Sequence, residues 1–277
     1  MSAAIGTELQ LRSRTGDRLA ATFTPATGDS AVVLLHGFLS DRRAGGRFDR
    51  LAEEYSNLGH AVLRFDFSGF GDSDGAVVDG ERLLDDARAA LDHLDSLGYR
   101  RQILHGQSLG SAVALRIAPQ RPRVVTLVLT GALTGAGDGE RPYPFLDEDQ
   151  LAAWHRDEDV HLPIEGSAVR SHVTVNRRRP RLGATGTQEE LLTSVRVPVL
   201  VVHGDTGAHE QRLAAITARG AHLLPEGSRV AVIPGATHTF YESQDDLAGI
   251  VTGWVREHVP PRPAQLLSAP QQSEESR

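Results

Sequence analysis

The chain has 277 residues, enough for one large α/β domain or two small ones. It contains no cysteine, which excludes disulfides, thiol nucleophiles and cysteine-based metal sites, and no lysine, which excludes a lysine Schiff base. A formal net charge of −7 argues against a nucleic-acid partner, and no apolar run approaches the length needed to span a membrane. Glu8, Arg12, Arg14, Asp17 and Arg18 occupy the place where a secretory signal would carry its apolar core, so a cytoplasmic location is expected.

The first elements read as a hairpin: 8–14 and 19–23 flank the turn signal Thr15-Gly16-Asp17. Short runs apolar on both faces follow at 31–35, 61–65, 102–105, 124–130, 197–203 and 229–233, the pattern of buried parallel strands. Helical periodicity lies between them at 47–58, 80–97, 109–118, 210–218 and 244–259. The clearest case is 80–97, where Leu83, Leu84, Ala87, Ala90, Leu91, Leu94 and Leu97 form one stripe and Gly98 supplies a stop. Strands alternating with helices predict an α/β fold, a mostly parallel sheet covered by helices on both faces.

The segment 132–194 breaks this alternation. It is rich in glycine, arginine and acids, with weak periodicity, and a stretch that long inside a compact domain reads as a cap inserted after the sixth strand. Helices are expected in it around 146–155 and 188–192. The core is then 1–131 plus 195–259, and the Pro-, Gln- and Ser-rich tail 260–277 is expected to be disordered. No internal repeat is visible.

One stretch carries chemistry. Ile103-Leu104-His105-Gly106-Gln107-Ser108-Leu109-Gly110 joins an apolar strand to a helix through Gly-x-Ser-x-Gly. A serine on so sharp a turn is exposed for attack, and the new helix aims backbone N–H groups at developing negative charge. Ser108 is therefore the candidate nucleophile. Its base should follow a later strand; His238, in Pro234-Gly235-Ala236-Thr237-His238, is so placed. The oxyanion donors are expected to be the N–H groups of Leu109 and of Phe38, in the loop after the first central strand. His36, which precedes that loop, is read as a structural hydrogen-bonding residue.

Together, His36-Gly37-Phe38, Asp66-Phe67-Ser68-Gly69-Phe70-Gly71-Asp72-Ser73, Gly106-Gln107-Ser108-Leu109-Gly110, His203-Gly204-Asp205 and Gly235-Ala236-Thr237-His238 resemble the α/β-hydrolase superfamily over about residues 8–258. The nearest likeness is to small-lid esterases of the feruloyl/cinnamoyl esterase and serine-aminopeptidase-like branch. The resemblance implies that Asp66 and Ser73 brace a loop. It also implies an acid in His-Gly-x-x-Asp, but Gly207 stands at that acidic position here. Asp205 is taken as the acid, displaced by two residues; Glu210, Asp138 and Glu140 are the alternatives.

Other signals are weaker. His155, His161 and His172 lie near Asp157, Glu158 and Asp159, but their spacing suits a solvated surface better than a metal site, so no metal and no cofactor are expected. Arg177-Arg178-Arg179 reads as a solvated loop, with attraction of an anionic substrate as the alternative. Trp154, Tyr143 and Phe145 are candidate substrate-binding residues, or else pack the cap on the core. His60 and His93 need no function.

The expected activity is that of a serine hydrolase cleaving a carboxylic ester, or a related acyl bond, of a small or medium substrate through an acyl-enzyme on Ser108. The alternatives are an acyltransferase, thioesterase or cyclase using the same acyl-enzyme, and a non-catalytic small-molecule receptor on a hydrolase fold. The expected partner is a small-molecule acyl substrate, with no nucleic acid and no membrane. Acyl group, leaving group and oligomeric state have no signature in the chain.

Overall fold

The computed structural model describes residues 6–135, 143, 146–164, 170–179, 181–182 and 187–262. Its first part runs β1 (Thr7–Arg12), β2 (Arg18–Thr24), β3 (Ser30–Leu35), α1 (Arg47–Asn57), β4 (Ala61–Phe65), α2 (Gly80–Ser96), β5 (Arg101–Gln107), α3 (Leu109–Ile117) and β6 (Val124–Thr130). Then come α4 (Glu148–His155), β7 (Val160–Pro163), β8 (His172–Val175) and α5 (Gln188–Ser194), and finally β9 (Val199–Gly204), α6 (Ala208–Gly220), β10 (Arg229–Ile233) and α7 (Gln244–His258).

The main sheet has eight strands in the order β1-β2-β4-β3-β5-β6-β9-β10. β1 and β2 form the expected antiparallel hairpin, β2 pairs antiparallel with β4, and every later pair is parallel. The central strands are apolar on both faces because helices cover both. Along β3, Ala31, Val33 and Leu35 join one apolar cluster with Leu83, Leu91 and Leu94 of α2 and Val113 of α3. Val32 and Leu34 join the other, with Phe48, Leu51 and Tyr55 of α1 and Val251, Trp254 and Val255 of α7. The chain leaves β3 for β4 on one side and returns to β5 on the other. The order therefore reverses at β3/β5, so the loops that leave the carboxyl ends of these two strands run to opposite faces of the sheet, the place where such folds bind ligands.

Element positions follow the sequence pattern closely, with local differences. The strand expected from residue 197 begins at Val199, and the helix expected from Glu210 begins one turn's half earlier, at Ala208. Leu97 lies at the C-cap of α2 and is half exposed, outside the buried stripe. Residues 260–262, assigned to the tail, are tied to the core: the Asp29 N–H donates to the Arg262 carbonyl at 3.3 Å and Arg101 donates to the Pro260 carbonyl at 2.9 Å. The rest of the tail lies outside the described residues.

Between β6 and β9, α4 and α5 each begin in a capping box, Asp147 with Gln150 and Thr187 with Glu190. The β7–β8 hairpin was not foreseen. Its Val160, Leu162, Val173 and Val175 are buried in the α2/α3 cluster. Arg170 fastens it to the loop after β4 by donating to the carbonyls of Gly71, Ser73 and Gly75 at 3.2, 2.7 and 3.1 Å.

Trp254 joins α7 to the sheet. It is 1% exposed, and its indole N–H donates to Thr126 Oγ1 at 3.0 Å. Trp254→Ala is expected to cost about 3–5 kcal/mol of unfolding free energy, measured by urea denaturation. A loss below about 1 kcal/mol would mean that α7 is not a principal support of the sheet.

Candidate active site

Ser108 sits between β5 and α3 with φ +50° and ψ −113°, a conformation that non-glycine residues rarely hold. Two glycines allow the bend. A Cβ on Gly106 would lie 2.4 Å from the Gly110 carbonyl oxygen, and one on Gly110 would lie 2.0 Å from the Leu35 carbonyl oxygen. The Ser108 N–H donates to the Thr130 carbonyl at 2.9 Å, and Ser111 Oγ bonds the Ser108 carbonyl at 2.5 Å. The elbow is thus held from β6 and from α3.

His238 follows β10 through Gly235, whose φ is +77°. Its ring lies on Gly131, where a Cβ would come within 2.8 Å of His238 Cε1. Nε2 is 3.0 Å from Ser108 Oγ and Nδ1 is 2.5 Å from Glu210 Oε2. The buried guanidinium of Arg47 donates to the Thr239 carbonyl and so holds the same loop from the α1 side.

The carboxylate that meets His238 belongs to Glu210, one of the alternatives, and not to Asp205. Asp205 is exposed, and its Oδ1 accepts the Gly235 N–H at 2.7 Å and the Thr206 hydroxyl at 3.2 Å. It ties together the two loops after β9 and β10 without reaching the imidazole. The reason is local. Gly207, at φ +89°, turns the chain straight into α6, and the first turn of that helix carries Glu210 inward. Asp138 and Glu140 lie outside the described residues.

Glu210 is 1% exposed. Besides His238, it accepts from His203 Nδ1 at 2.7 Å and from the Gly204 N–H at 3.1 Å, both on Oε1. Burial opposes its ionisation, but the hydrogen bonds from His203 and His238 outweigh that and bring its pKa down to about 2. The site thus holds a hydroxyl, an imidazole and a buried carboxylate in one hydrogen-bonded line.

The two residues expected to donate to an oxyanion lie beside Ser108. A Cβ on Gly37 would be 3.4 Å from Ser108 Cβ, so the loop bearing Phe38 passes against the elbow. Leu109 is the first residue of α3, where the helix itself offers its N–H no carbonyl. His36 is buried; its Nδ1 lies 2.8 Å from the Gly37 carbonyl and its Nε2 accepts the Phe67 N–H at 3.1 Å. Burial lowers its pKa, as suits a neutral structural bridge. Asp66 accepts the backbone N–H groups of Arg42 and Asp72 at 2.6 and 2.9 Å and meets the Arg42 guanidinium. Ser73 Oγ donates to the Asp66 carbonyl at 2.6 Å and accepts the Ala20 N–H at 2.9 Å. Both residues brace the loop.

Tyr143 stacks on Phe38, with centroids 5.1 Å apart, and meets Trp154 edge-on at 5.6 Å. The Arg181 guanidinium lies 5.8 Å from the Tyr143 ring and 5.9 Å from that of Trp154. An aromatic run therefore links the oxyanion loop to α4, with Trp154 buried in it; Phe145 lies outside the described residues. Arg177, Arg178 and Arg179 are exposed and face the partly buried Asp157 and Asp79 at 3.5–4.0 Å. His161 and His172 pack ring on ring at 4.8 Å. Among the described residues no group of three His, Asp or Glu side chains is placed to hold a metal ion.

Three residues had no role in the sequence reading. His203 and Thr217 join Glu210 from behind, and His209 packs its ring edge-on against His238 at 4.7 Å. His203 stood in the motif His-Gly-x-x-Asp; its neighbourhood to the acid became visible only once α6 was placed.

A family model described as "Serine aminopeptidase, S33" matches residues 27–154. The chain is 37% identical over 132 residues to a 2-hydroxy-6-oxononadienedioate/2-hydroxy-6-oxononatrienedioate hydrolase of Burkholderia vietnamiensis, a match covering 47% of this chain and 46% of that protein. The chain thus spans about half the length of that curated relative. Among solved structures it is similar to DcsB in complex with its substrate analogue (TM-score 0.75, 19% identity, covering 91% of this chain and 99% of that one). It is also similar to Est1E from Butyrivibrio proteoclasticus with bound ferulic acid (TM-score 0.71, 19% identity, covering 91% and 99%). Among the described residues no helix is long and apolar enough to cross a membrane.

Two outcomes follow from Glu210. Glu210→Gln is expected to lower any turnover at this site by up to about 10⁴-fold, while Asp205→Asn stays within about threefold of the parent; the opposite ranking in steady-state assays would favour Asp205 as the partner of His238. Because the folded pKa of Glu210 lies below its ordinary 4.5, its ionisation stabilises the fold above that pH, and the contribution is lost as pH falls toward about 2. Urea denaturation at about pH 5 and about pH 3 should show a steeper loss in the parent than in Glu210→Gln; equal losses would mean that the carboxylate is not stabilised in the folded state.

Proposed function

We propose that this chain, which has the α/β-hydrolase fold, is a serine hydrolase that opens a carboxylic ester through an acyl-enzyme on Ser108. One observation carries the reading: Ser108 Oγ lies 3.0 Å from His238 Nε2, while His238 Nδ1 lies 2.5 Å from a buried carboxylate.

In this mechanism the Ser108 hydroxyl attacks the acyl carbon as its proton passes to His238 Nε2. Glu210, ionised at neutral pH, accepts the Nδ1–H throughout; it fixes the tautomer and steadies the imidazolium. The N–H groups of Phe38 and Leu109 receive the oxyanion. His238 then gives its proton to the leaving alcohol, and a water activated by the same imidazole attacks the acyl-enzyme, releasing acid and free Ser108. No further group is required by this chemistry. The absent family acid was the feature that favoured a receptor, and Glu210 takes its place.

A second reading has one observation behind it. The identity to a hydrolase named for an oxo-dienedioate supports an oxo acid, rather than an ester, as the molecule attacked at the same site. Turnover of a 2-hydroxy-6-oxo-dienedioate against a panel of p-nitrophenyl esters separates the two. Adding a primary amine to the ester assay separates hydrolysis from acyl transfer: free acid alone means water is the acceptor, and amide means transfer.

A fluorophosphonate probe should give one adduct, mapped by peptide mass to Ser108, that disappears in Ser108→Ala and forms far more slowly in His238→Ala. Ester turnover should fall by at least about 10⁴-fold in Ser108→Ala without loss of fold. A folded Ser108→Ala protein that keeps its turnover would overturn the proposal.

A further inference from the structure

Glu210 brings to the site a longer and looser acid than an aspartate at a strand end would be. It has one more rotatable bond, and holding it in one rotamer has an entropic cost that some contact must offset. Oε2 serves His238, while Oε1 takes His203 Nδ1 at 2.7 Å and the Gly204 N–H at 3.1 Å. His203 is itself held from its far side, with Nε2 2.8 Å from Thr217 Oγ1, and Thr217 Oγ1 is 2.8 Å from Thr134 Oγ1. His203, Glu210, Thr217 and Thr134 are each at most 1% exposed, so water does not compete for these bonds.

The protons in this chain can run in one consistent direction. Glu210, as a carboxylate, only accepts, so His203 Nδ1 must carry a hydrogen. A neutral His203 then accepts at Nε2 from the Thr217 hydroxyl, which has spent its only proton and accepts from Thr134. The sequence is Thr134 to Thr217 to His203 to Glu210, met from the opposite side by Ser108 to His238 to Glu210.

We propose that His203 is a positioning residue for the acid: it clamps one oxygen of Glu210 so that the other faces His238, and Thr217 fixes the tautomer that does so. The inference rests on the Ser108–His238–Glu210 reading. It adds that the acid works at full rate only when clamped, because a glutamate that has lost the His203 bond spends part of its time rotated away from the imidazole.

The test uses the full chain, p-nitrophenyl butyrate as substrate, and His203→Leu, His203→Asn and Thr217→Val, with near-ultraviolet circular dichroism as the fold control. His203→Leu should lower kcat by about 10- to 100-fold, the worth of a hydrogen bond to a charged group, with KM within about twofold. His203→Asn presents an amide N–H close to where Nδ1 stood and should recover to within about threefold of the parent. Thr217→Val, nearly isosteric, should lower kcat by about threefold. The far-downfield proton resonance of the His238–Glu210 hydrogen bond should shift in His203→Leu and return in His203→Asn. A purely structural role would lower the melting temperature without moving that resonance or the kcat of the folded protein. A folded His203→Leu with parental kcat overturns the proposal, as does a folded His203→Asn no better than His203→Leu. If His203→Leu does not fold, a parental kcat in Thr217→Val overturns it. Ser108→Ala in the same assay separates the two levels: retained turnover there defeats the reading of the site, whereas parental His203 variants beside a dead Ser108→Ala defeat the clamp alone.

Discussion

The carboxylate of Glu210 is the point on which the site is assembled. It takes hydrogen bonds from His238 at 2.5 Å and His203 at 2.7 Å while almost wholly buried. A buried carboxylate without donors would carry a large desolvation penalty and would tend to hold a proton. Here three donors converge on it, and it stays ionised. The imidazole of His238 is thereby fixed with Nδ1 toward the acid and Nε2 toward Ser108, the arrangement that general-base chemistry needs. Asp205, two residues beyond His203, contributes differently: it holds the β9 and β10 loops together, so that α6 with Glu210 and the loop with His238 keep their spacing.

The rest of the fold supplies the approach distances. The strand order reverses between β3 and β5, and the loop bearing Phe38 and the elbow bearing Ser108 issue from those two strands. Their closeness depends on glycine. Gly110 lies so near the Leu35 carbonyl that any side chain there would push the elbow away from β3. The strained backbone of Ser108 is kept in place by the Thr130 carbonyl and by Ser111, not by any local preference. Beside this rigid floor, the residues between β6 and β9 add an aromatic run, Phe38 to Tyr143 to Trp154, that reaches from the oxyanion loop into α4.

Much of this was legible in the chain. The two-faced apolar runs gave the parallel strands because burial on both sides leaves no polar face, and Gly-x-Ser-x-Gly between strand and helix marked Ser108. His238 could be placed because it follows the last strand after a Pro-Gly turn. Asp205 was expected to meet His238, and Glu210 meets it instead, for a physical reason. Counting from the strand end favours Asp205, but Gly207 sends the chain into α6 at once, and a helix turn, not a loop, then decides which side chain points inward. The hidden clue was the spacing of Gly207 and Glu210, the start of a helix with an acid in its first turn. The β7–β8 hairpin was missed because two four-residue strands hold too little alternation to register, and their apolar residues gain their meaning only from burial in the larger apolar cluster.

The central claim is that Glu210 acts through His238. A double-mutant cycle of His238→Ala and Glu210→Gln, read as kcat for one ester, tests it most directly. The account predicts strong non-additivity: once His238 is gone, changing Glu210 should cost nothing further. Additive losses in the folded double variant would show that the carboxylate works by another route, and would contradict it.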